Sequence, residues 1–209
     1  MTNAAVIPRS LFLLSVLYGG MTCIAGVLGN KQVAIGPLSV EAGIFAFLLL
    51  VVLSSAVAEL HGRDTASRLV VFGFVPLIAS MLLFLIVLGL PASPKMDAAR
   101  LDGFQLVLAQ SPRLMAAGIV AYGISQQLNV RVFSALRREE GRLFWLRAGI
   151  ASVLSQVVDT LIFITLAFYG VFPIAELMVG QMIAKVVLSV AIVPPLIIGF
   201  VALGRALDR

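Results

Sequence analysis

Charged side chains are scarce in this chain of 209 residues: they make up 12% of it, against about 25% in soluble domains. Hydrophobic residues make up 61% of the chain, and the mean hydropathy is +1.10. This composition excludes an ordinary soluble domain and predicts an integral membrane protein. Spans of about 20 residues leave room for roughly six helices, so we expect a single membrane domain over residues 1–209.

Cysteine and histidine are nearly absent too, since Cys23 and His61 are the only examples of each. One cysteine cannot form an internal disulfide, and one histidine supplies metal or nucleophile chemistry poorly. The sequence Gly-x-x-x-x-Gly-Lys-Ser/Thr, which binds nucleotide phosphates, is also missing. We therefore expect no enzyme, no metal and no cofactor. The net charge of +5 belongs to residues that flank apolar stretches, which argues against a nucleic-acid partner.

Six apolar stretches are long enough to cross a bilayer, which predicts an all-α bundle of six transmembrane helices. They cover residues 10–28, 38–58, 69–90, 114–136, 148–169 and 177–203. The longest connection, residues 91–113, has a middle part at 104–109 that could form a short interfacial helix. Small residues on the helix faces leave room for a homodimer.

The distribution of lysine and arginine predicts the orientation of the bundle. With the amino terminus inside, nine of these residues flank the spans on the cytoplasmic side and four on the other side. Cytoplasmic loops carry the excess of positive charge, so we expect both termini in the cytoplasm.

The fifth stretch contains a carboxylate, Asp159, in a segment otherwise suited to hydrocarbon. An Asp at the centre of a membrane helix costs about 2.5 to 3.5 kcal/mol, so such a residue is by default a candidate for a site. Ser152, Gln156, Asp159 and Phe163 follow one another at intervals of four, three and four, which places them on one side of a helix. That side is expected to face protein or water.

Other stretches offer polar faces to the same interior. In the sixth, Lys185 lies four residues from both Gln181 and Ser189 and is a plausible partner for Asp159. An Asp and a Lys on neighbouring helices can also do no more than neutralise each other and fix the packing. The fourth stretch contributes Gln126, Gln127 and Asn129, and the second ends in Ser54, Ser55 and Glu59.

Two proline positions are expected to break helices. Pro194 and Pro195 lie beyond Lys185 and are predicted to interrupt the sixth span, and Pro76 is expected to do the same in the third. Broken helices beside polar residues form solute sites in many transporters, although ordinary proline kinks are at least as common.

These residues carry a specific resemblance to the queuosine precursor transporter family, formerly grouped with vitamin uptake transporters. Its most specific part is the run Ser155-Gln156-Val157-Val158-Asp159-Thr160 with Phe163. Further matching segments are Ala121-Tyr122-Gly123, Gln127 to Val130 with Phe133, Leu143 to Arg147, Asn30-Lys31, Gly43 to Phe45, Glu59 to Gly62, Ala66, Arg68, Gly73-Phe74, Lys185 and Pro195.

The resemblance implies import of a 7-deazaguanine, typically 7-cyano-7-deazaguanine or its aminomethyl form, across the inner membrane for salvage into the tRNA nucleoside queuosine. A carboxylate can accept two adjacent N–H donors of such a heterocycle, and Phe163, Phe133 or Tyr122 could stack on its ring. The expected substrate-binding residues are Asp159, Gln156, Lys185, Ser152, Gln127, Asn129, Phe163, Asn30 and Glu59. Asp159 and Glu59 are also the main candidates for any proton coupling.

Three alternatives stay open at this point. A chain of this size could be the membrane substrate-binding component of an ATP-driven uptake system, in which a separate module supplies energy. It could also be an intramembrane enzyme or a structural helix bundle that transports nothing.

Overall fold

The computed structural model of the protein describes residues 7–29, 31–35, 38–109, 112–136, 144–170 and 174–209. This part of the chain is almost entirely helical, which confirms the expected class of a helical membrane protein. Its elements are α1 (Arg9–Leu28), β1 (Gln32–Ile35), β2 (Leu38–Glu41), α2 (Gly43–His61), α3 (Arg63–Phe72), α4 (Phe74–Gly89), α5 (Ala98–Leu108), α6 (Pro112–Ala135), α7 (Phe144–Phe168) and α8 (Ala175–Leu207).

A short β-hairpin between α1 and α2 was not part of the all-α expectation. Strand β2 pairs antiparallel with β1, with Val33 opposite Val40 and Ala34 opposite Ser39. The second helix therefore begins at Gly43 rather than at residue 38. Leu38 and Val40 alternate with Ser39 and Glu41, and this period of two fits a strand better than the start of a helix.

The third span is divided where a proline was expected to break it. Helix α3 ends at Phe72 and α4 starts at Phe74, with Gly73 between them. Pro76 has no N–H to donate to the carbonyl of Phe72, which weakens the helix at this point. The segment nevertheless starts at Arg63, six residues before the predicted start at residue 69.

The sixth span is continuous, contrary to the prediction that Pro194 and Pro195 interrupt it. Helix α8 runs from Ala175 to Leu207 with both prolines inside it. The two rings leave the carbonyls of Val190 and Ala191 without their helical donors. A long helix held by its neighbours in a bundle tolerates that loss, because contacts on both sides of the prolines keep the axis in place.

Five helical segments of the described chain are long and apolar enough to cross a membrane: α1, α2, α3 with α4, α7 and α8. Helix α6 has 24 residues but carries Gln126, Gln127, Asn129 and Arg131 in its second half, and it is more polar than the other five. The chain is thus a multi-pass membrane protein, while the sixth span stays a prediction. Residues 104–108 of the expected segment 104–109 are helical, within the longer helix α5, and the position of this helix at the membrane interface stays a prediction.

Helix α2 lies at the centre of the bundle and α4 lies at its edge. Thirteen of the 19 residues of α2 are buried, and it packs against α1, α3, α6 and α8. No residue of α4, all of which the structure describes, is buried, and Leu82 and Leu83 are both more than half exposed. Such a leucine-rich exposed surface suits contact with lipid tails.

The start of α1 and the ends of α2 and α8 meet at one end of the bundle. The backbone N–H of Ser10 donates to Asp208 Oδ1 at 2.9 Å, and Ser10 Oγ lies 2.7 Å from His61 Nε2. Hydrogen bonds from the Ser10 hydroxyl and backbone lower the pKa of Asp208 below its ordinary value. We call this the terminal end, marked by Ser10, His61 and Asp208. It follows that the described amino- and carboxyl-terminal residues lie on one side.

Candidate functional site

Asp159 of α7 and Lys185 of α8 form a buried ion pair inside the bundle. Lys185 Nζ lies 2.8 Å from Asp159 Oδ2, and both side chains are 9% exposed. The hydroxyl of Ser125 on α6 donates to Asp159 Oδ1 at 3.1 Å. The predicted pairing of these two charges is therefore confirmed. An unpaired charge at this depth would be costly, so the pair makes a charged site tolerable in an apolar helix bundle.

The pair lies on the wall of a cavity of about 360 Å³, a volume within the range of small-molecule sites. The residues that line it come from the halves of the helices that lie away from the terminal end. Its polar members include Thr22, Ser80, Asp159, Gln181 and Lys185, and the rest of the lining is mainly apolar. A mostly apolar cavity with a few convergent polar groups is the usual form of a ligand site.

Aromatic rings surround the charged groups. Phe47, Tyr122 and Phe163 line the cavity, and Lys185 Nζ lies 5.8 Å from the centroid of the Phe47 ring. The rings of Phe47 and Tyr122 have centroids 6.0 Å apart. Of the three rings predicted for stacking, Tyr122 and Phe163 are at the cavity, whereas Phe133 is not among the residues that line it.

Tyr122 is held in place by Tyr18 of α1. The hydroxyl of Tyr122 donates to that of Tyr18, and the Tyr18 side chain is fully buried. Gly73 sits against the Tyr18 ring: a Cβ at this position would lie 2.5 Å from Tyr18 Cε1. Because Gly73 has no side chain, the Tyr18 ring fits beside it and can hold Tyr122 in the wall of the cavity.

Two of the amides predicted for the site act between helices instead. Gln127 Nε2 donates to the backbone oxygen of Ser67 at 3.0 Å, which joins α6 to α3. Asn129 Nδ2 donates to Ser55 Oγ at 3.0 Å and to Ser54 Oγ at 3.3 Å, which joins α6 to α2. Neither amide lines the cavity.

Gln156 and Ser152 are buried but lie outside the cavity, nearer to the terminal end than Asp159. Gln156 is 3% exposed and Ser152 is fully buried. Within the described residues, Gln156 Oε1 and Ser152 Oγ have no hydrogen-bond partner. Their place on one helix face with Asp159 is as predicted, and their role in binding stays a prediction.

Glu59 pairs with Arg147 at a separate place closer to the terminal end. The Arg147 guanidinium lies over the Phe133 ring, with Cζ 4.3 Å from the ring centroid. A second cavity of about 280 Å³ includes Glu59, Arg147 and Phe133 in its lining. Glu59 therefore does not belong to the wall of the larger cavity.

Three residues at or beside the cavity were not among the predicted site residues, and one predicted residue falls outside the described ranges. Phe47 and Gln181 line the cavity, and Ser125 lies outside its lining but donates to Asp159. Gln181 was recognisable from its spacing of four residues to Lys185, and Ser125 from its spacing to Asn129, whereas nothing in the sequence marks Phe47. The predicted residue Asn30 lies outside the residues that the structure describes.

The Asp159–Lys185 pair and the nearby aromatic rings could together bind a planar polar molecule. A carboxylate and an ammonium side by side can accept two adjacent N–H donors and donate to a neighbouring carbonyl on one edge of a planar molecule. The aromatic rings offer surfaces on which that plane can stack.

Comparison with known proteins gives consistent matches. A family model described as "Putative vitamin uptake transporter" matches residues 41–199. The chain is 30% identical to a "Probable queuosine precursor transporter" of Bacillus subtilis (strain 168) over 163 residues, which are 77% of this chain and 70% of that protein. It is 26% identical to a "Queuosine precursor transporter" of Escherichia coli (strain K12) over 162 residues, with the same two coverages. No solved structure matches the chain.

Proposed function

The chain belongs to the vitamin uptake transporter family, and from this membership we propose that it is a membrane transporter, not an enzyme, that imports a queuosine precursor of the 7-deazaguanine class. The names of both relatives support the transport activity. The buried Asp159–Lys185 pair on the wall of a cavity is the observation that supports a specific way of binding the substrate.

The pair complements the pyrimidine edge of a 7-deazaguanine. That edge presents a carbonyl acceptor followed by a ring N–H and an exocyclic amine, as guanine does. Asp159 can accept from both donors, and Lys185 can donate to the carbonyl, so the base enters between two groups that now contact each other. An adenine-like edge places its acceptor and donors differently and would leave one buried group unpaired, which penalises its binding strongly.

The remaining contacts follow from the same pose. The planar heterocycle would lie against Phe47, Tyr122 or Phe163, and the amide of Gln181 is available to the substituent or to a ring nitrogen. Gln156, Ser152, Gln127 and Asn129 would then support the site from outside the cavity. This division separates residues that contact the substrate from residues that hold the helices.

The orientation of the bundle completes the proposal. With six spans and both termini in the cytoplasm, the cavity beside Asp159 lies in the outer half of an inner-membrane protein, because its walls are formed by helix halves away from the terminal end. The described conformation would then be the one that receives substrate from outside. The two candidate substrates differ only in carrying a cyano or an aminomethyl substituent. A preference between them would therefore depend on the residues that contact this substituent.

The proposal is tested by uptake into cells that neither make 7-cyano-7-deazaguanine nor contain another transporter for it. The cells receive the gene or an empty vector and a low external concentration of the precursor, and queuosine in tRNA is measured by mass spectrometry. We expect queuosine only with the gene, in a host that lacks any separate energising module. A chain that supports no more queuosine than the vector would contradict the proposal.

A further inference from the structure

Polar side chains continue from the cavity toward the terminal end on four helices. Ser189 lies one turn beyond Lys185, Asn129 one turn beyond Ser125, and Gln156 one turn from Asp159 on α7. We call this set the inner polar column, and its members are Gln156, Ser189, Asn129, Ser55 and Ser152. All five are at most 3% exposed.

The inner polar column contains more hydrogen-bonding capacity than the described residues use. Gln156 Oε1, Ser189 Oγ, Ser152 Oγ and Asn129 Oδ1 are buried, and none of the four has a partner in the described part of the chain. Each unsatisfied buried polar atom costs about 1 to 3 kcal/mol, so native structures keep few of them. Four in the half of the bundle between Asp159 and the terminal end indicate groups that find their partners when water or substrate enters.

The column ends at the ion pair between Glu59 of α2 and Arg147 of α7. Phe133 lies one turn beyond Asn129 on α6, is 1% exposed and carries the Arg147 guanidinium over its ring. Arg147 and Asp159 are twelve residues apart, which is about 18 Å along the axis of α7. On α7, the buried residues Ser152 and Gln156 lie between the two ion pairs.

We propose that the inner polar column is the closed inner half of the translocation path and that Glu59, Arg147 and Phe133 form its gate toward the terminal end. This inference rests on the proposed function, because a path needs a solute to carry. The Glu59–Arg147 pair joins the end of α2 to the start of α7, so the path opens when these helix ends separate. The released amide and hydroxyl groups of the column then line the exit for a polar heterocycle.

The gate is tested by cysteine labelling in the absence of substrate. The single cysteine is first removed by Cys23→Ala, and Ser152→Cys places a reporter inside the column. A carboxyl-terminal epitope identifies which face of each vesicle is the terminal end, and a membrane-impermeant maleimide is applied from that face. Glu59→Gln and Arg147→Gln each weaken the pair, and the exchanged pair Glu59→Arg with Arg147→Glu restores opposite charges.

We expect the reporter to label slowly with the pair intact and about tenfold faster in each single variant, since loss of part of a buried ion pair shifts the closed state toward the open one. The exchanged pair should return the rate toward its starting value. Equal rates with and without the pair, or fast labelling while the pair is intact, would overturn the proposal.

Phe133→Leu keeps both charges and removes only the ring beneath Arg147, so it decides the question if the charge variants fail to fold. Faster labelling supports the gate, and an unchanged rate in a folded protein overturns it. Labelling uses no substrate and is therefore independent of the proposed function. Binding of the precursor is measured separately by its effect on the melting temperature, so each proposal can fail alone.

Discussion

Lys185 Nζ lies 2.8 Å from Asp159 Oδ2, with both side chains 9% exposed, and this contact joins α8 to α7 at the wall of the larger cavity. The two charges neutralise each other in a region where neither would be stable alone. For the proposed substrate, the same contact would supply a carboxylate and an ammonium side by side.

Lys185→Met should lower the free energy of unfolding by about 3 to 5 kcal/mol, because it leaves the buried Asp159 carboxylate without its cation. The double variant Asp159→Asn with Lys185→Met should recover most of that loss, since no buried charge remains. Denaturant unfolding of the purified protein in detergent measures both values. A double variant as unstable as the single one would show that the two residues are not coupled.

Gly73→Ala should destabilise the protein by about 1 to 3 kcal/mol, because its Cβ would lie 2.5 Å from Tyr18 Cε1 and push on the Tyr18–Tyr122 contact. Gly20→Ala is the matched control, since a Cβ there meets nothing within 4 Å. Thermal unfolding of the two variants checks the difference. Similar melting temperatures for both would contradict the packing described for Tyr18.

Two glutamines separate packing from binding. Gln127→Ala should cost about 0.6 kcal/mol of stability and leave the precursor affinity unchanged, because this amide bonds to the Ser67 backbone outside the cavity. Gln181→Ala should weaken binding about tenfold, the effect of one lost hydrogen bond in a buried site. Titration calorimetry gives both affinities. A larger loss of affinity in Gln127→Ala than in Gln181→Ala would reverse these assignments.

The contact between Ser10 and Asp208 should make stability depend on pH. The two hydrogen bonds from Ser10 lower the pKa of Asp208, so the folded state favours the ionised form. The resulting stabilisation is complete above the unfolded-state pKa of about 3.9 and disappears as the pH falls through the lower folded-state pKa.

The gap in melting temperature between the wild type and Asp208→Asn should accordingly be larger at about pH 6 than at about pH 3. Asp97→Asn is the control, because the exposed Asp97 side chain caps no backbone group in the described residues. A gap that widens toward low pH would show that the carboxylate of Asp208 is not the stabilised form.

Hydropathy was enough to predict most of the helices, because long apolar runs are the strongest signal that a sequence carries. The pairing of Asp159 with Lys185 was also predictable, since two opposite charges in apolar segments have few other partners. The hairpin before α2 was missed because Leu38 and Val40 raise the hydropathy of a strand as much as that of a helix. The continuity of α8 through Pro194 and Pro195 depends on neighbouring helices, which a local rule about proline does not include.

The site itself was predicted only in part, because helix periodicity tells which residues share a face but not how deep each one lies. Gln156 and Ser152 are on the face of Asp159 as expected, yet they lie beyond the cavity. Glu59 was grouped with them from its polarity and instead pairs with Arg147. Phe47 reaches Lys185 through the packing of α2, and an isolated phenylalanine in an apolar helix carries no signal of that.

Recognition of the donor edge of a 7-deazaguanine by Asp159 is the proposal on which the assigned substrate contacts depend. Its most direct test is the melting temperature of the purified protein with 7-cyano-7-deazaguanine or adenine, in the wild type and in Asp159→Asn. We expect a rise with the deazaguanine alone, and a loss of affinity of about a hundredfold in Asp159→Asn, because an amide cannot accept both donors. An equal rise with adenine, or an unchanged rise in Asp159→Asn, would contradict it.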